Sequence, residues 1–229
     1  MDSMIQFLAH ELGQSEAHVE NVVNLIDEGN TIPFIARYRK ELHGSMDDQL
    51  LRTLADRLQY LRNLESRKTE VKSAVEAQGK LTEELAAAVD AAATLAEVED
   101  LYRPFKQKRR TRATIAREKG LEPLAAMLFS LDEPCPPPEE AALSFIDPEK
   151  GVETVEDALQ GANDIIAELI SDDAALRKIL RSLYLRRGML VSKAAEKEPE
   201  DTVYRLYYDF KCPVNRMQGY QTLAVNRGE

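Results

Sequence analysis

The 229-residue chain is 44% hydrophobic, enough to bury a core in one large or two small domains. It carries a formal net charge of -10, which sets it apart from domains that bind nucleic acid through overall basicity. No apolar run reaches the roughly 20 residues of a membrane span, and residues 1–5, MDSMI, lack the basic and apolar blocks of a secretion signal.

Ala, Leu, Glu, Lys and Arg dominate, and no segment alternates apolar and polar residues with β-branched enrichment. The expected fold is all-α: a multi-helix scaffold built on one long helix. Cys135 and Cys212 lie far apart, each beside a proline, and read as reduced thiols of a cytosolic protein.

A first helix over residues 5–12 should stop at Gly13, and Ser15 should cap a second with Val19, Val22, Val23 and Ile26 inward. Thr31 and Pro33 open a third, over 31–42, with Phe34, Ile35, Tyr38 and Leu42 on one face. Arg37 and Lys40 point the other way, as a small basic group or as a solvated face helped by the Arg37–Glu41 spacing. From Asp47 a helix should run to Gln78, about 45 Å at 1.5 Å per residue. Its apolar series Leu50, Leu54, Leu58, Leu61, Leu64, Val71 and Val75 admits Lys68 at one place. Such a length suits a strut for several elements. An alanine-rich helix over 82–92 should fold back on it, and Thr94 with Glu97 has the spacing of a capping box for 95–102.

Pro104 then breaks the helix. In the connector that follows, Lys106, Lys108, Arg109, Arg110 and Arg112 crowd together with no acid between them. Packed cations repel unless an anion neutralises them; phosphates or carboxylates of this acidic chain would serve. Arg117 and Lys119 extend the block.

Residues 114–119 and 121–129, helices about Gly120, have the pattern of a helix-turn-helix, one that any αα-corner shares. The proline-rich 132–138 reads as an extended loop. Helices are expected over 139–145, 155–170 and 172–187, the last rich in cations: Arg177, Lys178, Arg181, Arg186 and Arg187. Cations near a helix C-terminus are favoured by its dipole. Residues 194–201 read as a mobile acidic loop. In 203–210 the aromatics near Arg205 could stack on bases, but helical packing of Leu206, Tyr207 and Phe210 is the main expectation. The apolar lead-out over 220–229 reads as an interrupted element, so a piece of a longer protein is expected.

Walker, G-x-G-x-x-G, H-E-x-x-H and C-x-x-C patterns are absent. His10, His18 and His43 show no ligand spacing, and Glu99 does not join Glu97 and Asp100 on one helix face as a Mg²⁺ site would need. These acids are expected to neutralise the connector or a neighbouring helix. No catalytic residue, metal or cofactor is expected.

Five stretches, IPFIARYRKE (32–41), EDLYRPFK (99–106), KRRTRATIAREKGLEPL (108–124), RGMLVSK (187–193) and LAVNRGE (223–229), together resemble the N-terminal region of Tex, the bacterial transcription accessory protein family. The resemblance runs in order over nearly the whole chain. It implies a cytoplasmic protein, helical at its N-terminus, with a helix-turn-helix-like module, that binds nucleic acid and acts in transcription. It further implies RNase H-like, helix-hairpin-helix and S1 RNA-binding domains, none of them present in these residues, and a core shared with a eukaryotic transcription elongation factor. Since S1 is the family's main nucleic-acid binder, binding by these residues alone should be weak.

The expected organisation is therefore a helical scaffold over 1–110, the helix-turn-helix-like module over 111–196, and the start of a connection to the missing domains over 197–229. The expected function is non-catalytic. Arg37, Lys40, Lys106, Lys108, Arg109, Arg110, Arg112, Arg117 and Lys119 are the candidate contacts to RNA or DNA, with the transcription machinery as a further partner. The alternative is a pure scaffold, in which the same cations pair with acids of the chain, with the missing domains or with a polymerase.

Overall fold

The computed structural model describes residues 2–106, 109–130, 136–195 and 202–227. The chain divides into two units, Met1–Glu99 and Asp100–Glu229. It is mostly helical, as composition demands.

In the first unit α1 (Asp2–Leu12), α2 (Glu16–Asp27) and α3 (Ile32–Tyr38) pack against the N-terminal part of α4 (Asp48–Glu76). Leu8, Val19, Val22, Ile35, Leu51 and Leu54 are fully buried between them. Local chemistry places the helix starts. Ser15 Oγ accepts from the His18 N–H, and Asp47 caps α4 by accepting from the Leu50 N–H at 2.7 Å. The C-terminal part of α4 carries Val71 and Val75 into a second contact, where α5 (Glu83–Ala91) folds back on it. Lys68 fills its apolar place in α4 because its stem is buried while Nζ donates to the Asp90 carbonyl and to Glu65, each at 2.9 Å. α6 (Leu95–Tyr102) closes the series.

α3 departs from expectation. It ends at Tyr38, which is exposed, and Leu42 lies in the following turn. The Asn21 side-chain amide donates to the Leu42 carbonyl at 3.1 Å, tying this turn to α2. With the helix ended, no Arg37–Glu41 pair forms among the described residues.

In the second unit α10 (Val155–Asp172) is the axis, packed on by α7 (Arg112–Glu118), α8 (Glu122–Ser130) and α9 (Pro138–Leu143). Its contact face is small: Ala158, Ala162 and Ile165, against Ala113, Ala116, Leu121 and Leu124. Gly161 permits this approach, since a Cβ there would lie 2.3 Å from Leu121 Cδ1 and 3.3 Å from Ala116 Cβ. Thr154 and Asp157 close a capping box at the start of α10. α7 and α8 meet about Gly120, whose φ of +83° is the left-handed conformation glycine tolerates. α11 (Ala174–Arg187) and α12 (Gly219–Asn226) complete the helices.

Beside the helices lies a two-stranded ribbon. β1 (Met189–Lys193) pairs antiparallel with β2 (Asp209–Pro213), Val191 opposite Lys211. Phe210 therefore lies in a strand, Leu206 is exposed in a 3-10 turn over Arg205–Tyr207, and the rings of Tyr207 and Phe210 meet at 5.1 Å. The ribbon escapes sequence reading because β1 carries Ser192 and Lys193, β2 carries Asp209 and Lys211, and the pairing is non-local. Pro213 is tolerated at the strand end, where its missing N–H breaks no ladder.

Candidate nucleic-acid interface

The connector forms as Pro104 dictates. α6 ends at Tyr102, a 3-10 turn spans Arg103–Phe105, and Arg109 and Arg110 lie in irregular backbone. Thr111 then caps α7, its Oγ1 accepting from the Thr114 N–H at 3.0 Å, so Arg112 belongs to a helix rather than to the connector. Lys108 lies outside the described residues.

The candidate cations fall into three groups. Arg109, Arg110 and Arg112 project outward. Arg110 meets Glu118 at 2.6 Å across an open surface, and Arg112, with 84% of its side chain accessible, reaches Asp164 only at 3.8 Å. Arg117 and Lys119 are engaged in the fold: Arg117 holds Glu168 at 2.6 Å, and Lys119 Nζ donates to the Gly151 carbonyl at 2.6 Å. Lys106 lies between these, its ammonium 5.5 Å from the Tyr102 ring centre. Arg37 and Lys40 are exposed in the first unit.

Beside the connector is an open groove of about 480 Å³, where Lys106 and Arg117 face Glu168, Asp172 and Asp173. Acids outnumber cations there, so it does not suit a phosphate. Arg109, Arg110 and Arg112 lie outside this groove on open surface, with Arg110 paired to Glu118.

Of the two roles expected for the acids beside the connector, Asp100 and Glu99 take the second, pairing with cations of other helices. Asp100 is 5% exposed, and its two oxygens accept from Arg177 at 2.6 Å and Arg181 at 2.5 Å. Burial alone would raise its carboxyl pKa; the two guanidinium groups outweigh that and hold it below the ordinary carboxylate value. Glu99 meets Arg67 at 2.6 Å, and Glu97 accepts from the Ala93 N–H at 2.8 Å. Sequence reading assigned Arg177 and Arg181 to the helix dipole and missed their buried partner. The available signal was their spacing of four, which puts two guanidiniums on one helix face. Among the described residues no group of His, Cys, Asp and Glu converges to hold a metal, and no helix is long and apolar enough to cross a membrane.

Residues 2–76 match the model of the Tex-like protein N-terminal domain, and residues 133–229 match the Tex central region-like model. The chain belongs to the Tex-like family. Tex-like relatives align along almost its whole length. An uncharacterized Bacillus subtilis protein, YdcI, is 45% identical over 98% of this chain and 31% of its own. The transcriptional accessory protein Tex of Neisseria gonorrhoeae is 41% identical over 99% of this chain and 30% of its own. The human S1 RNA-binding domain-containing protein 1 is 31% identical over 99% of this chain and 23% of its own. The chain thus spans about three-tenths of the length of its bacterial Tex-like relatives.

Proposed function

We propose that these residues are a non-catalytic, cytoplasmic part of a Tex-like transcription accessory protein that contributes phosphate contacts to RNA or DNA binding. The observation that carries the reading is the outward run Arg109, Arg110 and Arg112, cationic side chains on an otherwise acidic chain. Such contacts set affinity and register without reading sequence. The family supports it: one relative is named for transcription and another for an S1 RNA-binding domain. Arg37, Lys40, Lys106 and Lys108 are secondary contacts in this reading. Arg117 and Lys119 serve mainly to hold the module together. Residues 111–196 act as a helix-turn-helix-like module that supports the connector and does not read bases. α8, the helix that would enter a groove, has Glu122 and no cation.

The second reading, an architectural scaffold for the remaining domains of the longer protein or a polymerase partner, is favoured by the charge of -10 and by the arginines spent inside the second unit on Asp100, Glu168 and Asp172. The organisation proposed for both is a scaffold over 1–110, the module over 111–196 and a connection over 197–229. Fluorescence anisotropy with labelled RNA, single-stranded DNA and duplex DNA across a salt series decides between them. In the Arg109→Ala/Arg112→Ala variant each lost phosphate contact should flatten the log–log salt slope by about 0.7 to 0.9. Binding that is absent at low salt, or a slope unchanged in the variant, rejects the phosphate-contact reading.

A further inference from the structure

Helix α11 keeps its apolar side chains at the surface. Its Arg177 and Arg181, themselves about a third exposed, reach the buried Asp100. Its apolar residues Leu176, Ile179, Leu180, Leu183 and Tyr184 face out, each at least 40% exposed. On a 3.6-residue wheel these five make one stripe, at the i, i+3, i+4, i+7 spacing by which one helix receives another. No residue of α11 is buried. The first unit is a control: its described large apolar residues are covered except Phe7 and Tyr38. A groove of about 350 Å³ lies on one flank of the stripe, lined by Leu180, Tyr184, Leu185 and Val214 together with Arg177 and Arg181. An apolar surface this continuous marks a binding site.

Charge selects the occupant. α11 has the sequence AALRKILRSLYLRR, with no acid; Arg177 and Arg181 are paired with Asp100, and Arg186 and Arg187 end the helix beside the stripe. A second copy laid across the stripe would add cations and no acid to meet them. An amphipathic helix flanked by acids would bury its apolar face and meet Arg186 and Arg187 at the rim. About seven-tenths of the length of the bacterial relatives lies outside the matched part. We infer that the α11 stripe is the seat of an acid-flanked amphipathic helix supplied by that remainder of the polypeptide. This rests on the scaffold reading and assigns it a surface.

The test is hydrogen exchange on α11 in the 229-residue chain and in the same chain carried within a polypeptide of the relatives' full length. In the long polypeptide the α11 amides should exchange slower by about tenfold or more, independent of protein concentration. The Ile179→Glu/Leu183→Glu variant should abolish that protection and lower the melting temperature of the long polypeptide. In the 229-residue chain, where both side chains are exposed, it should leave melting unchanged. Equal exchange in the two contexts overturns the proposal. So does protection of the 229-residue chain that grows with concentration alongside a dimer mass, which assigns the stripe to a second copy. Protection that arrives only when a separate protein is added also overturns it. The variant leaves the connector arginines intact, so the anisotropy series above passes or fails independently.

Discussion

Asp100 stabilises the second unit only while it is charged, with a guanidinium on each oxygen and 5% of its surface exposed. Its lowered pKa makes that contribution full above the ordinary aspartate value of about 3.9 and progressively lost as pH falls through the depressed folded value. Asp100→Asn should cost about 2–3 kcal/mol at neutral pH, measured by urea denaturation, and the gap to wild type should close in acid. A gap that persists unchanged at the lowest pH would mean the carboxylate charge is not the source. His43 is the opposite case. It is 1% exposed, and neither ring nitrogen has a partner among the described residues. An apolar replacement of similar volume removes an uncompensated desolvation, so His43→Leu should raise stability by about 1 kcal/mol. A lower melting temperature would reveal a bond the ring makes.

At the scale of elements, α10 depends on small residues where it crosses α7 and α8. Alanine at 161 would gain about 1 kcal/mol of helix propensity, yet its Cβ would drive into Leu121 and Ala116. Overpacking of this kind costs about 1–3 kcal/mol, and Leu121 is itself 1% exposed and has little room to move. Gly161→Ala should therefore lower the thermal midpoint in calorimetry. A raised midpoint would show that the crossing can open without loss. Close packing of this kind also fixes where the connector arginines emerge, because Thr111 and Arg112 start the helix that rests on α10.

For the molecule as a whole, a charge of -10 opposes any polyanion at long range. Local arginines act within a Debye length of about 8 Å at physiological salt. Binding by the 229-residue chain should then be sequence-independent and no tighter than about 10⁻⁶ M at that salt. The anisotropy titration reads this directly, and a nanomolar constant with sequence preference would point to a base-reading surface outside the connector. The two units have separate cores, one around Leu51 and Leu54 and one around Leu124 and Ile165. The charged side chains that matter to the second are largely spent inside it.

Several helix starts and stops were legible residue by residue. Ser15, Asp47, Thr82 and Thr154 cap where their side-chain oxygens meet free N–H groups, and Gly120 turns the chain with positive φ, because these are local bonds and local sterics. The long α4, the break at Pro104 and the Tex-like family were readable for the same reason: each rests on contiguous residues. Three things depended on tertiary structure. The β1–β2 ribbon pairs residues about twenty apart, whose strand signal is diluted by charge. Tyr38 and Leu42 were expected on one helix face, but α3 ends at Tyr38 and Leu42 lies in a turn tied to α2 by Asn21. Arg177 and Arg181 looked like solvated dipole partners, because a side chain's partner is set by what the fold brings within 3 Å of it, and no periodicity in the chain records that distance.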